Sequence, residues 1–341
     1  MKKRLFCLLL AGCLLLSGCA IIPAQPEKTQ YTATFLNLFD TVTTIVGQAD
    51  SKESFEATAQ QIHDELLQYH QLFDIYEEYE GITNLKTVND AAGQAPVQVD
   101  ERIIDLLLDC KAYYSLTAGK VNVAMGSVLK LWHDARSDAF ADPMHASLPD
   151  QTALENAALH TDLDAVVIDE ANSTVQITDP MVQLDVGAIA KGWATQRVAE
   201  NAPTGLLISV GGNVCATGPK AGDAPWVVGI QNPDGGDYLH TLYVTGGSVV
   251  TSGDYQRTYP VDGKFYHHII DPVTLYPSEY FRSVTIVCDD SGLADALSTA
   301  LFLMPLEEGM ALAQKCGAEA MWLLPDGTMA YTPGFEKMIR T

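Results

Sequence analysis

Apolar positions along this 341-residue chain change rhythm near Pro203. Before it they recur at helical intervals. Phe55 to Tyr79 carries Ile62, Leu66, Leu67 and Tyr69 on one face, and Ile103 to Ser115 predicts a second helix. Ahead of both, Phe35 to Gly47 predicts a strand, because every residue from Thr41 to Val46 is β-branched. Met181 to Leu184 predicts a short buried strand, and Ala188 to Asn201 a helix once Gly187 has broken it. After Pro203 the apolar runs shorten: Leu206–Val210, Trp226–Gln231, Leu239–Val244, Ser248–Thr251 and Ser283–Val287 predict strands. Gly211-Gly212, Asp234-Gly235-Gly236, Gly246-Gly247 and Asp262-Gly263 supply turn chemistry between them. Leu293 to Met304 is apolar almost throughout and predicts a buried helix capped by Ser291. Successive hairpins flanked by helices predict an α+β fold, a single large domain with antiparallel sheets, rather than a doubly wound one.

The N-terminus follows a different pattern. Lys2, Lys3 and Arg4 precede an apolar run from Leu5 to Leu16, the layout of a secretory signal. The run is shorter than the roughly 20 residues that span a bilayer. Leu16-Ser17-Gly18-Cys19 resembles the bacterial lipobox, which implies removal of residues 1–18 and a lipid on Cys19. Residues 19–30, with Pro23 and Pro26, then read as a tether and 31–341 as the folded domain. The expectation is an extracytoplasmic protein anchored to a bacterial membrane. Without the signal, 17 basic side chains face 43 acidic ones, a net charge of −26. A surface this acidic repels nucleic acid, and a phosphate-rich ligand would need a local cation. Cys110, Cys215, Cys288 and Cys316 remain, without a CxxC pair; disulfides and buried thiols are both open.

Four stretches carry candidate chemistry. In Leu184-Asp185-Val186-Gly187-Ala188-Ile189-Ala190-Lys191 a carboxylate, a glycine turn and a lysine meet at a strand-to-helix junction. That suits an anion or metal pocket, and equally an ordinary turn with a surface lysine. Asp295 and Thr299 stand at i and i+4 on the apolar helix. They suit Mg²⁺, or else a carboxylate at a helix N-terminus and a hydroxyl bonded back to its own helix. His267-His268 before Asp271-Pro272 offers a base, a metal ligand or a strand end. Arg257, closing Thr251-Ser252-Gly253-Asp254-Tyr255-Gln256-Arg257, could hold a phosphate bidentately. There is no GxGxxG after a strand, no P-loop, no GxSxG and no HExxH.

Taken in order, Leu184–Trp193, Ile208–Asn213, Thr251–Arg257, His268–Pro272 and Ala294–Leu301 resemble the FAD:protein FMN transferases, the ApbE family. The resemblance implies a T-fold-like core. It implies contacts to FAD from Asp185, Lys191, Arg257 and Ile269, and from Phe39 and the segment Lys120-Val121-Asn122. Phe39 stands where the family often has methionine, and Asn122 where aspartate is common. It further implies Mg²⁺ held by the Ala188 carbonyl, Asp295 and Thr299, with His268 as candidate base and Asp185 beside it in the catalytic set. The reaction implied moves FMN from FAD onto a threonine in a Ser/Thr-Gly-Ala-Thr-type segment of an exported or membrane redox protein, releasing AMP. Two alternatives share these residues: an Mg²⁺-dependent FAD pyrophosphatase giving FMN and AMP, and a flavin-binding lipoprotein without catalysis.

Overall fold

The computed structural model describes residues 29–341; the signal, Cys19 and most of the tether lie outside the described residues. The β-branched stretch forms a hairpin rather than one strand. β1 (Thr29–Leu38) and β2 (Thr41–Ala49) pair antiparallel, with Leu38 opposite Thr41. The two-residue turn between them, Phe39-Asp40, has φ of 50° and 51°, as a type I′ turn requires. For phenylalanine that conformation costs on the order of 1–3 kcal/mol. The surroundings sustain it: Phe39 N donates to His70 Nδ1 (3.3 Å) and its ring meets the His70 ring edge-on.

α1 (Lys52–Phe73) is capped by Ser51 and buries Phe55, Ile62, Leu66 and Tyr69. It stops at Phe73, short of the expected Tyr79, because the Asp74 side chain accepts from Tyr76 N and Glu77 N and turns the chain. α2 (Leu85–Asp90), β3 (Val97–Gln98) and α3 (Glu101–Leu116) follow, then α4 (Gly126–Ala141) and α5 (Gln151–Ala158). β4 (Val166–Asp169) and β5 (Thr174–Ile177) join β3 in a small sheet. Met181–Leu184 is not a sheet strand: Val182 N closes a turn on Asp179 O (3.2 Å), and Gln183 makes one bridge, to Met125.

α6 (Ala190–Asn201) leads into β6 (Leu206–Val210), β7 (Asn213–Ala216), β8 (Trp226–Ile230), β9 (His240–Val244) and β10 (Gly247–Gly253). The ribbon β11 (Tyr259–Val261) and β12 (Lys264–Tyr266) precedes β13 (Ser283–Cys288). The chain ends with α7 (Ser291–Phe302), α8 (Leu306–Lys315), β14 (Glu319–Leu323), β15 (Met329–Tyr331) and α9 (Pro333–Met338). Asp290, not Ser291, caps α7 by accepting from Leu293 N (2.7 Å).

Eight strands form one antiparallel sheet in the order β1-β2-β6-β7-β10-β13-β14-β15. α1, α6, α7 and α8 share one core with it, which includes Ile45, Ile208, Ile286, Trp193, Leu297 and Trp322. Each fully buried Leu or Ile there contributes roughly 1.5–3 kcal/mol. β8, β9 and α9 form a second core around Trp226 and Phe335. A third cluster joins α4, α5 and the β11–β12 ribbon through Trp132, Leu154 and Tyr259, tied by Trp132 Nε1 donating to Leu275 O (2.9 Å). Among the described residues Cys110, Cys215, Cys288 and Cys316 form no disulfide.

Candidate functional site

A cleft lies between the α6–α7 face of the main core and the α4 and β11–β12 cluster. It encloses about 1540 Å³, the open space at its mouth included.

α6 and α7 meet at their closest through Gly192. A Cβ there would collide with Ser291 O and lie 2.5 Å from Asp295 Cβ. That approach lets Gly192 N donate to Asp295 Oδ2 at 2.8 Å. Asp295 is buried, and Lys191 Nζ is its nearest cation at 3.9 Å. Burial raises its carboxyl pKa above the ordinary value, although Lys191 and the Gly192 N–H act in the opposite direction. Asn213 sits close enough to help hold the charge, yet its buried Nδ2 reaches no acceptor at full hydrogen-bond geometry. Asp295 is therefore a buried carboxylate short of positive charge. Asp290 performs the capping that would otherwise explain an acid on this helix. Among the described residues Ser298 Oγ bonds back to Asp295 O (2.9 Å), and no such bond ties up Thr299, which lines the cleft one turn on.

The 184–191 stretch forms the adjoining wall. Asp185 N donates to Val123 O (2.8 Å), and Asp185 Oδ1 accepts from Gly187 N (2.8 Å), closing a tight turn. The turn presents Ala188 to the cleft, and Lys191 Nζ reaches back to Gly187 O (3.1 Å). Among the described residues no three His, Cys, Asp or Glu side chains gather as a metal site. The donors here are instead one carboxylate, a hydroxyl and the carbonyl of a turn. That set suits a hard cation completed by phosphate and water oxygens.

Across the cleft, His267-Asp271 is irregular backbone, not the expected strand. His268 Nδ1 lies 3.1 Å from Gln256 O. A carbonyl only accepts, so Nδ1 carries the proton and Nε2 keeps its lone pair. Burial first, then the Arg257 cation, push the His268 pKa down to about 3, so the ring is neutral. Ile269 is buried and lines the cleft beside it. His267 has the opposite tautomer: Nδ1 accepts from Ile269 N (3.2 Å) and Nε2–H donates to Ser278 O (2.8 Å), a structural role.

The remaining expected residues divide. Lys120, Val121, Asn122 and Arg257 line the cleft, but Lys120 pairs with Asp271 (3.2 Å). The Asn122 side chain is held by Thr161 O and Ala124 N (2.8 and 2.9 Å). Phe39 does not line the cleft; its turn presents Asp40 and Thr41 instead. Several lining residues were not expected from sequence: Tyr76, His133 and Arg136 at the mouth, and Tyr259 with an unpartnered buried hydroxyl. Tyr76 stacks on His133 (5.3 Å), which bonds Arg136 (3.1 Å). His133 and Arg136 stand at i and i+3 on α4, whereas Tyr76 lies on the loop after α1, where no sequence spacing links it to them.

The ApbE family model matches residues 29–322. An FAD:protein FMN transferase of Treponema pallidum is 36% identical over 277 residues, covering 75% of this chain and 75% of its own. One from Klebsiella pneumoniae is 32% identical over 277 residues, covering 76% of this chain and 83% of its own. The crystal structure of the ApbE protein from Thermotoga maritima superposes with a TM-score of 0.82 at 31% identity, covering 92% of this chain and all of that one.

Proposed function

The chain belongs to the ApbE family, and from that premise we propose that it is an enzyme transferring FMN from FAD to an acceptor protein. One observation carries the reading. One cleft holds a buried, charge-deficient carboxylate and, across it, a histidine kept neutral whose Nε2 no side chain claims among the described residues. The acceptor is a threonine hydroxyl. Its oxygen attacks the phosphorus on the FMN side of the pyrophosphate, the bond to the AMP oxygen breaks, and the hydroxyl proton passes to His268 Nε2. Such a transfer depends mainly on alignment and charge stabilisation.

Lys191 and Arg257 supply cationic contacts to the pyrophosphate, and the Asp185 turn fixes the backbone against which it lies. The negative charge of the diphosphate offsets Arg257, the second influence after burial on the low His268 pKa, and so raises the basicity of Nε2. Asp295, Thr299 and the Ala188 carbonyl would hold Mg²⁺, which when bound would neutralise part of the diphosphate charge. The Leu16–Cys19 spacing supports a lipid anchor, which would place the reaction outside the cytoplasm, at a membrane.

The test is incubation with FAD, Mg²⁺ and an acceptor domain bearing a Ser-Gly-Ala-Thr segment. The acceptor should gain the mass of FMN less water, with an equal amount of AMP released. AMP and free FMN without mass gain would establish the pyrophosphatase instead. FAD bound with no AMP released would leave a flavin-binding protein.

A further inference from the structure

A second cavity, about 830 Å³ with its mouth, backs onto the cleft, and His267 lines both. Three consecutive residues of β12, Lys264, Phe265 and Tyr266, border it. Successive side chains of a strand point to opposite faces. A cavity touched by three in a row therefore runs along the strand's edge rather than over one face. No residue of β11 borders it, so the edge concerned is the one away from β11.

The ribbon's turn shows which backbone groups that edge presents. Asp262 and Gly263 have φ of 50° and 79°, a two-residue type I′ turn between Val261 and its partner Lys264. Such a turn closes on a pair that exchanges both hydrogen bonds, and bonded pairs then alternate along the ribbon. Phe265, opposite Pro260, occupies the non-bonded position, consistent with a proline that has no N–H to give. The N–H and C=O of Phe265 accordingly project from the free edge into the second cavity. Phe265 is 69% exposed. Lys264 pairs with Glu279 (2.5 Å) and Arg282 with Asp234 (2.9 Å), and the lining carboxylate of Asp254 lies 3.7 Å from the same Arg282. An uncharged, backbone-led contact is what this edge offers.

We propose that the acceptor polypeptide docks here, adding an extended segment to the edge of β12 as a third strand. The proposal rests on the transferase reading. The shared wall at His267 gives the reason: a chain lying along β12 and past His267 would reach the cleft beside the proposed base, His268. Backbone pairing supplies affinity in this mode, and the alternate side chains supply selectivity.

Phe265→Pro removes the edge donor where a strand tolerates proline, and Phe265→Ala keeps the donor but removes the ring. The probe is the acceptor domain with the Ser-Gly-Ala-Thr segment, and FAD affinity and melting temperature serve as controls. Phe265→Pro should raise the acceptor KM at least tenfold with FAD affinity unchanged, and Phe265→Ala should raise it less. Unchanged acceptor KM in both variants would overturn the docking site while leaving the transferase reading intact. If Phe265→Pro loses FAD affinity or melts early, a normal KM in Phe265→Asp, which places a charge on the same edge, overturns it equally. A wild-type dimer in sedimentation that the substitutions dissolve would assign the edge to a second copy of this chain, against the proposal. A wild-type enzyme that never labels the probe would sink the transferase reading and the docking site with it.

Discussion

Asp295→Asn separates what the buried carboxylate does for the ligand from what it does to the fold. Asparagine keeps the shape and can accept from Gly192 N, now 2.8 Å from Asp295 Oδ2. What it removes is a buried charge and its attraction to Lys191, 3.9 Å away. At an effective dielectric of about 20 that attraction is about 4 kcal/mol. Taking the carboxylate out of water costs several kcal/mol, and a raised pKa shows that burial outweighs the attraction. A carboxyl with a raised folded pKa destabilises the fold above its unfolded pKa, so its penalty is present at neutral pH. The ligand-free variant should therefore be between equally stable and about 2 kcal/mol more stable than wild type. At about 2 °C per kcal/mol, the melting temperature should rise by roughly 0–4 °C. FAD with Mg²⁺ at about 100 times the dissociation constant should add about 2.7 kcal/mol to wild type, roughly 5 °C, and almost nothing to the variant. Thermal melts with and without FAD and Mg²⁺ measure both. A ligand-free variant melting several degrees lower, or one keeping the full ligand shift, refutes the reasoning.

Three further outcomes follow from the geometry. Gly192→Ala forces α6 from α7 at Ser291 and Asp295, at a cost of about 1–3 kcal/mol, so it should melt lower and lose the FAD–Mg²⁺ shift; an unshifted melt would refute the close approach. His268 has its folded pKa near 3 against an ordinary 6.5, so wild type loses up to about 1.4 kcal/mol per pH unit as pH falls below 6.5. His268→Gln should flatten the decline between pH 7 and 5 and slow transfer more than it weakens FAD binding; parallel melting curves would count against it. Cys19→Ser should move the protein from the membrane to the soluble fraction, and an unchanged distribution in fractionated cells would remove the lipid-anchor proposal.

The ordered strands and the two main helices were legible because each buries one periodic face, as Ile62, Leu66 and Tyr69 do on α1. The hairpin at Phe39-Asp40 was not, since a left-handed phenylalanine breaks the turn code and only His70, distant in sequence, sustains it. Asp290 displaced Ser291 as cap because both are competent one residue apart, and spacing alone does not rank them. Asp295, Thr299, Lys191 and His268 were legible as candidates, each as a polar residue in apolar or glycine-marked surroundings. Tyr76 carried no such mark: it meets His133, which bonds Arg136 one turn along α4, through tertiary packing between α4 and the loop after α1. The same holds for the Lys120–Asp271 pair, 151 residues apart.

α7 sits against α6 on one side and on β10 and β13 on the other, near the end of the chain. A polypeptide is made from its N-terminus, and its domains fold as their segments emerge. Until residue 299 has been added, the cleft lacks Asp295 and Thr299, and the sheet lacks β14 and β15 beyond β13. A nascent or prematurely terminated chain thus carries Lys191 and His268 without Asp295 and Thr299. On the proposed reading, the donors for the cation are thus the last part of the cleft to be made, and a chain cut before residue 299 should show no FAD–Mg²⁺ thermal shift.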